Sequence, residues 1–198
     1  MNKFELKKIK ENALNNHIPI IMDETLEYIY KLYINNKINS ILEIGTAVGY
    51  SAICFTEFLN KDGIIDTIER DEQRVDEAKD NIKKAEVQNS INIILGDAVE
   101  ILPNINKKYD MIFIDAAKGK YPFFLNQALR LINREGIILA DNILYKGYVM
   151  SDYNKHNQRT AVRNLREYIK EATENPNLET QILEVGDGLA VSRLVWKD

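Results

Sequence analysis

Residues 41–51 read Ile41-Leu42-Glu43-Ile44-Gly45-Thr46-Ala47-Val48-Gly49-Tyr50-Ser51. A short apolar run ends in glycine, and a second glycine follows with the spacing G-x-x-x-G. From Tyr50 to Leu59 the chain reads as a helix. Glycines let a backbone turn tightly and approach a ligand closely, and amides at a helix start favour an anionic group. The spacing alone is equally that of a plain tight turn. It is not the G-x-G-x-x-G of a nicotinamide dinucleotide site.

Working outward, strands and helices alternate. Before the loop, Asp23 can cap a helix carrying Leu26, Ile29, Tyr30 and Tyr33 at helical spacing. After it, strands are expected at Ile64–Glu69, Ile91–Leu95, Met111–Ile114 and Gly136–Ala140. Helices are expected at Asp71–Ala85 with Val75, Ala78 and Ile82 inward, at Pro122–Ile132, and at Gln158–Ala172. The tail, Leu178–Val185 and Leu189–Trp196 around Gly186-Asp187-Gly188, carries a hairpin signal. This pattern implies an α/β fold: a Rossmann-like, doubly wound, mostly parallel seven-stranded sheet closed by a C-terminal antiparallel hairpin. No repeat or Pro/Gly-rich linker breaks it. One domain is expected over 1–198, with an N-terminal helical segment (1–35) and the core at 36–198.

Composition narrows the chemistry. Two histidines and one cysteine (His17, His156 and Cys54) exclude a Cys/His zinc cluster and any intrachain disulfide. A bound metal must then take oxygen ligands, which suits a hard ion such as magnesium. A net charge of −4 argues against coating nucleic acid by bulk charge but leaves room for a local basic patch. Residues 1–16 lack the apolar core of a signal peptide, and no apolar run approaches the roughly 20 residues of a spanning helix. A soluble cytoplasmic protein is the expectation. His17 and Cys54 read as structural, and Trp196 as edge-strand packing.

In such a sheet, ligands bind beyond the carboxyl ends of the strands. Glu69, Asp97, Asp115 and Asp141 all fall at or just past such ends. Each alone is equally a helix N-cap or a solvated loop acid; the set at matching positions points to a site. Glu69 lies 24 residues after Gly45, where an acid can accept bonds from ribose hydroxyls. Asp97-Ala98 can then meet an adenine. Together they describe an adenosine ligand without a pyrophosphate.

The loop at 43–51, with Asp115-Ala-Ala-Lys118, Asp141-Asn142 and Gly186-Asp187-Gly188-Leu189, resembles the class I S-adenosylmethionine-dependent O-methyltransferases of the catechol/caffeoyl-CoA type. The resemblance covers nearly the whole chain. Within that group, Ile18-Pro19-Ile20-Ile21-Met22 and Asp141-Asn142-Ile-Leu-Tyr-Lys-Gly147 look most like the bacterial tRNA 5-hydroxyuridine methyltransferases, which act at the wobble uridine. The resemblance implies that Glu43, Gly45, Thr46, Gly49 and Ser51 hold the methionine end of the cofactor. Glu69 and Arg70 would serve the ribose, Asp97 and Ala98 the adenine, and Met22 an apolar contact. It further implies a magnesium ion on Asp115, Asp141 and Asn142, with Asp115 also beside the cofactor, and Lys118 as the group that takes the acceptor's proton. A homodimer is implied as well. The residue types fit these roles: two carboxylates offset a divalent charge, and Lys118, three residues after Asp115, can lean over the same cleft.

For the substrate, Arg159, Arg163, Arg166 and Lys170 form one basic stripe at helical spacing, with Val162, Leu165 and Ile169 inward. Lys155 and His156 precede it. Such a stripe tracks phosphates or is simply a solvated face balanced by Glu167 and Glu171. Tyr145 and Tyr148, with Lys146 between them, either stack on an unpaired base or pack on protein. Lys7, Lys8 and Lys10 extend the patch or form a polar helical face. The leading expectation is a magnesium-dependent methyltransferase for wobble 5-hydroxyuridine, with the tRNA anticodon loop as partner. Its runner-up methylates a small catechol or phenolic acid. A non-catalytic nucleotide-binding module would be expected to lack the triad or Lys118.

Overall fold

The computed structural model describes residues 1–33, 37–151 and 159–195. Lys155, His156 and Trp196 lie outside them. Seven strands form one mostly parallel sheet, doubly wound as the alternating pattern predicts; numbered in chain order they lie β3-β2-β1-β4-β5-β7-β6. The chain divides into two compact units, Met1–Asn104 and Ile105–Asp198.

The first unit holds α1 (Lys3–Asn15), α2 (Asp23–Tyr33), β1 (Ile38–Ile44), α3 (Tyr50–Phe55), β2 (Leu59–Glu69), α4 (Glu72–Lys84), β3 (Ile91–Leu95) and α5 (Ala98–Ile101). Ser40 to Ile44 of β1 are all buried, as a strand covered on both faces should be. Burying each large aliphatic side chain there contributes about 1.5–3 kcal/mol. β2 begins earlier than the apolar pattern implies. It pairs Ile38 with Leu59, then skips to pair Ser40 with Ile64, so a bulge precedes the regular ladder to Ile44↔Ile68. In α4 Val75, Ala78 and Ile82 are buried as expected, and so is Asn81. Asp71 caps this helix by accepting from the amides of Gln73 and Arg74.

The second unit holds β4 (Tyr109–Ile114), α6 (Tyr121–Leu131), β5 (Ile132–Ala140), α7 (Arg159–Glu174), β6 (Leu178–Leu183) and β7 (Leu189–Leu194). β4 and β5 pair in parallel, and β7 runs antiparallel between β5 and β6. β5 repeats the early, bulged start: Tyr109 pairs with Ile132, then Met111 with Ile137. On α7, Val162 and Leu165 are buried, together with Tyr168 and Ala172, while Ile169 is half-buried. Among the described residues no helix is long and apolar enough to cross a membrane.

Candidate active site

In the first unit the loop after β1 is shaped by left-handed backbone. Gly45 has φ 107°, Ala47 46° and Gly49 81°. A Cβ at Gly49 would sit 3.3 Å from the Cβ of Ala78, so this glycine also lets α4 approach closely. Asn81, on the inward face of α4, donates to the carbonyl of Val48 at 3.0 Å and holds the loop from behind.

Beneath the loop runs a buried hydroxyl chain. Glu43 is fully buried and accepts from Ser51 Oγ and from Thr67 Oγ1, each at 2.5 Å. Thr67 and Thr46 share a bond of 2.6 Å between their hydroxyls. The side chains of Thr46 and Ser51 thus serve Glu43 and its neighbours. A buried carboxylate persists only with such partners. Thr67 was not among the expected site residues. Its signal is a hydroxyl in the mostly apolar run Ile64-Ile65-Asp66-Thr67-Ile68, two residues before the acid Glu69 that ends the strand.

Glu69 ends β2, and its carboxylate organises the strand edge. Oε2 accepts the amide of Ala47 at 2.9 Å, while Oε1 accepts those of Arg70 and Asp71. A carboxylate offers about four acceptor directions, so Oε2 keeps one for a hydroxyl beside the glycine loop. Asp97 accepts from the amide of Val99 at 2.8 Å, making it the N-cap of α5, with Ala98 next to it. Met22 is 43% exposed immediately before α2.

In the second unit Asp115 follows β4, and Asp141-Asn142 follow β5. Asn142 takes a left-handed φ of 54°. Lys118 sits on the turn after Asp115. Its ammonium donates to Asn142 Oδ1 at 2.9 Å and lies 3.6 Å from Asp115 Oδ1. Asp141 is fully buried. Its Oδ1 accepts the amide of Asn142 at 2.8 Å, but Oδ2 has no partner. Burial, and then the neighbouring charge of Asp115, push the Asp141 carboxyl up to about 7. Burial also raises Asp115, against the opposing pull of Lys118. Two carboxylates and an amide oxygen, one buried oxygen of them orphaned, form a donor set that fits a hard divalent cation. Among the described residues no three His, Cys, Asp or Glu side chains gather as a metal site, so the amide is needed to complete this one.

Tyr121 was also not expected here. Its buried hydroxyl donates to the carbonyl of Asp141 at 2.8 Å and fixes the end of β5. Tyr145 and Tyr148 meet edge to face, 5.8 Å between centroids. All four cations of the basic stripe, Arg159, Arg163, Arg166 and Lys170, are exposed. Arg166 differs. Its guanidinium donates to the carbonyls of Val149 at 3.0 Å, Tyr148 at 3.3 Å and Ser151, so it is spent on the protein's own loop.

A lone carboxylate at the end of β2, beside a loop with two glycines rather than a dinucleotide fingerprint, suits a single nucleoside. On this sheet order that combination is what the resemblance to class I S-adenosylmethionine-dependent methyltransferases implies. A family model for O-methyltransferases matches residues 2–195. The catechol O-methyltransferase of Niastella koreensis is 34% identical over 77% of this chain and 72% of its own. The tapetum-specific methyltransferase 1 of Arabidopsis thaliana is 32% identical over 95% and 85%. Among solved structures, a candidate caffeoyl-CoA O-methyltransferase from Staphylococcus aureus superposes with a TM-score of 0.89 at 36% identity, covering 96% of this chain and 92% of that one. The chain belongs to the O-methyltransferase family, on its S-adenosylmethionine-dependent catechol/caffeoyl-CoA side.

Proposed function

We propose that the chain methylates one oxygen of a vicinal oxygen pair on a planar ring, that the acceptor is a small catechol or phenolic acid, and that the reaction requires magnesium. The observation that carries this is the cluster at the ends of β4 and β5, where Lys118 lies between Asp115 and Asn142 and Asp141 Oδ2 is buried without a partner. Asp115, Asp141 and Asn142 would hold the ion. When bound, it would supply positive charge that makes a coordinated hydroxyl more acidic. Lys118 takes the proton of the attacking oxygen on its amine nitrogen, and Asp115 holds the ammonium so formed. The acceptor oxygen then forms its bond to the methyl carbon as the sulfur–carbon bond breaks, and the bonding pair stays on sulfur. Glu69 and the 43–51 loop bind and orient the cofactor's adenosine and methionine ends. The catechol reading draws further support from the likeness to the Niastella koreensis catechol O-methyltransferase.

A second reading keeps the same chemistry on wobble 5-hydroxyuridine of tRNA in the cytoplasm, since its 5-oxygen and 4-carbonyl oxygen are neighbours. The exposed cations Arg159, Arg163 and Lys170 on α7 favour it. Transfer of labelled methyl to 3,4-dihydroxybenzoate and to tRNA carrying 5-hydroxyuridine, with magnesium or with EDTA, separates the two. Turnover on the catechol alone, abolished by EDTA, is expected. Transfer to tRNA alone would replace the catechol reading, and EDTA-insensitive turnover would remove the ion.

A further inference from the structure

We propose that α7 positions the reaction, with Asn164 setting the proton-accepting lysine and Arg166 setting the wall against which the acceptor ring packs. The proposal rests on the catalytic reading above. Lys118 lies on a short turn, Lys118–Lys120, with no side-chain cap of its own. Asn164 donates its side-chain amide to the carbonyl of Gly119 in the middle of that turn. The helix packs directly on it: a Cβ at Gly119 would meet the Asn164 amide nitrogen at 3.9 Å and the Thr160 methyl at 4.0 Å.

The other end of the Lys118–Asn142 bond opens the segment 142–151. That segment runs through three consecutive left-handed residues: Tyr145 (φ 46°), Lys146 (57°) and Gly147 (76°). Left-handed backbone at non-glycine residues is strained and persists only where neighbours hold it. Two groups do so. Asp187 Oδ1 accepts the amide of Lys146 at 2.6 Å. Arg166 gathers the carbonyls of Tyr148, Val149 and Ser151 on one planar fork. The Tyr145–Tyr148 pair stands on the residues so held. α7 therefore grips the turn that carries Lys118 and the far end of the segment that Asn142 opens, through different side chains.

The two grips predict different kinetic signatures. Asn164→Leu, close in shape but unable to donate, lets the lysine turn drift; kcat is expected to fall about tenfold or more with acceptor KM little changed. Arg166→Met frees the tyrosine wall, and acceptor KM is expected to rise about tenfold with kcat and cofactor KM held. Arg166→Lys does not rescue it, because one ammonium cannot span three carbonyls. The acceptor is whichever of 3,4-dihydroxybenzoate or 5-hydroxyuridine tRNA the wild type uses. Amide hydrogen exchange is read alongside: Arg166→Met is expected to speed exchange at residues 143–151 and not at 118–121, and Asn164→Leu the reverse. If neither acceptor is turned over, the functional reading fails while the exchange pattern still decides the positioning. Exchange that rises evenly through residues 105–195 in both variants, or kcat and KM moving together in both, would overturn the proposal.

Discussion

Burial leaves Asp141 Oδ2 without a partner and its carboxyl pushed up to about 7. A buried carboxylate without a partner is costly, and a cation would offset that cost. Asp141→Asn should weaken magnesium binding at least about tenfold by calorimetry, while the metal-free variant unfolds at the same or higher urea concentration. Undiminished magnesium binding would remove the ion from this site. Lys118→Ala should slow the chemical step about 100-fold or more in single turnover. Cys54 offers a pH test away from the chemistry. Burial raises its thiol to about 12 from 9.0. The folded state therefore holds the proton after the unfolded chain has lost it, so stability is intact below pH 9 and falls as pH rises from 9 towards 12. Between pH 8 and pH 10 the wild type should lose about 1 kcal/mol more than Cys54→Ala in urea titrations. The acids at the strand ends and Lys118 are legible as residue types. The orphaned oxygen and the raised carboxyl are not, because both depend on what surrounds the side chain.

The hairpin between β6 and β7 shows the same division at the level of elements. Gly186-Asp187-Gly188 reads as a turn, and a turn it is. Hidden in the sequence is its second duty. The amides of Ile143 and Leu144 donate to the carbonyls of Gly188 and Asp187, tying the turn to the segment after Asp141. A Cβ at Gly188 would lie 2.8 Å from the backbone nitrogen of Leu144, at a φ of +91°. At Gly147, φ +76°, a Cβ would meet nothing within 4 Å. Gly188→Ala should thus cost about 2 kcal/mol or more in urea unfolding, and Gly147→Ala about 1 kcal/mol. Equal costs would mean that the contact with Leu144 is not tight. The apolar face of α4 was legible, since a charged helix with one apolar stripe has one face to bury, but the burial of Asn81 on that face was not. The early starts of β2 and β5 were not, because a bulge interrupts the period that marks a strand.

For the molecule as a whole, the fold implies that the nucleoside product of transfer binds and a dinucleotide does not. S-adenosylhomocysteine at 100 times its Kd should stabilise the protein by about 2.7 kcal/mol in thermal unfolding, and NAD at the same concentration should leave it unchanged. Stabilisation by NAD would contradict the reading of the 43–51 loop. The alternation of strands and helices, the glycine loop and the row of acids follow from the sequence alone, because hydrophobic period, glycine freedom and side-chain type are properties of short stretches. The partners of those groups do not. Thr67 bonds Glu43 across 24 positions, Asn81 holds Val48 across 33, Asn164 reaches Gly119 across 45 and Asp187 meets Lys146 across 41. Arg166 reads as part of an open basic stripe, and only folding turns it onto three carbonyls of its own chain. Local chemistry sets what each side chain can do. The packing of distant segments settles which of those capacities it uses, because a hydrogen bond depends on distance and direction in space and not on separation along the chain.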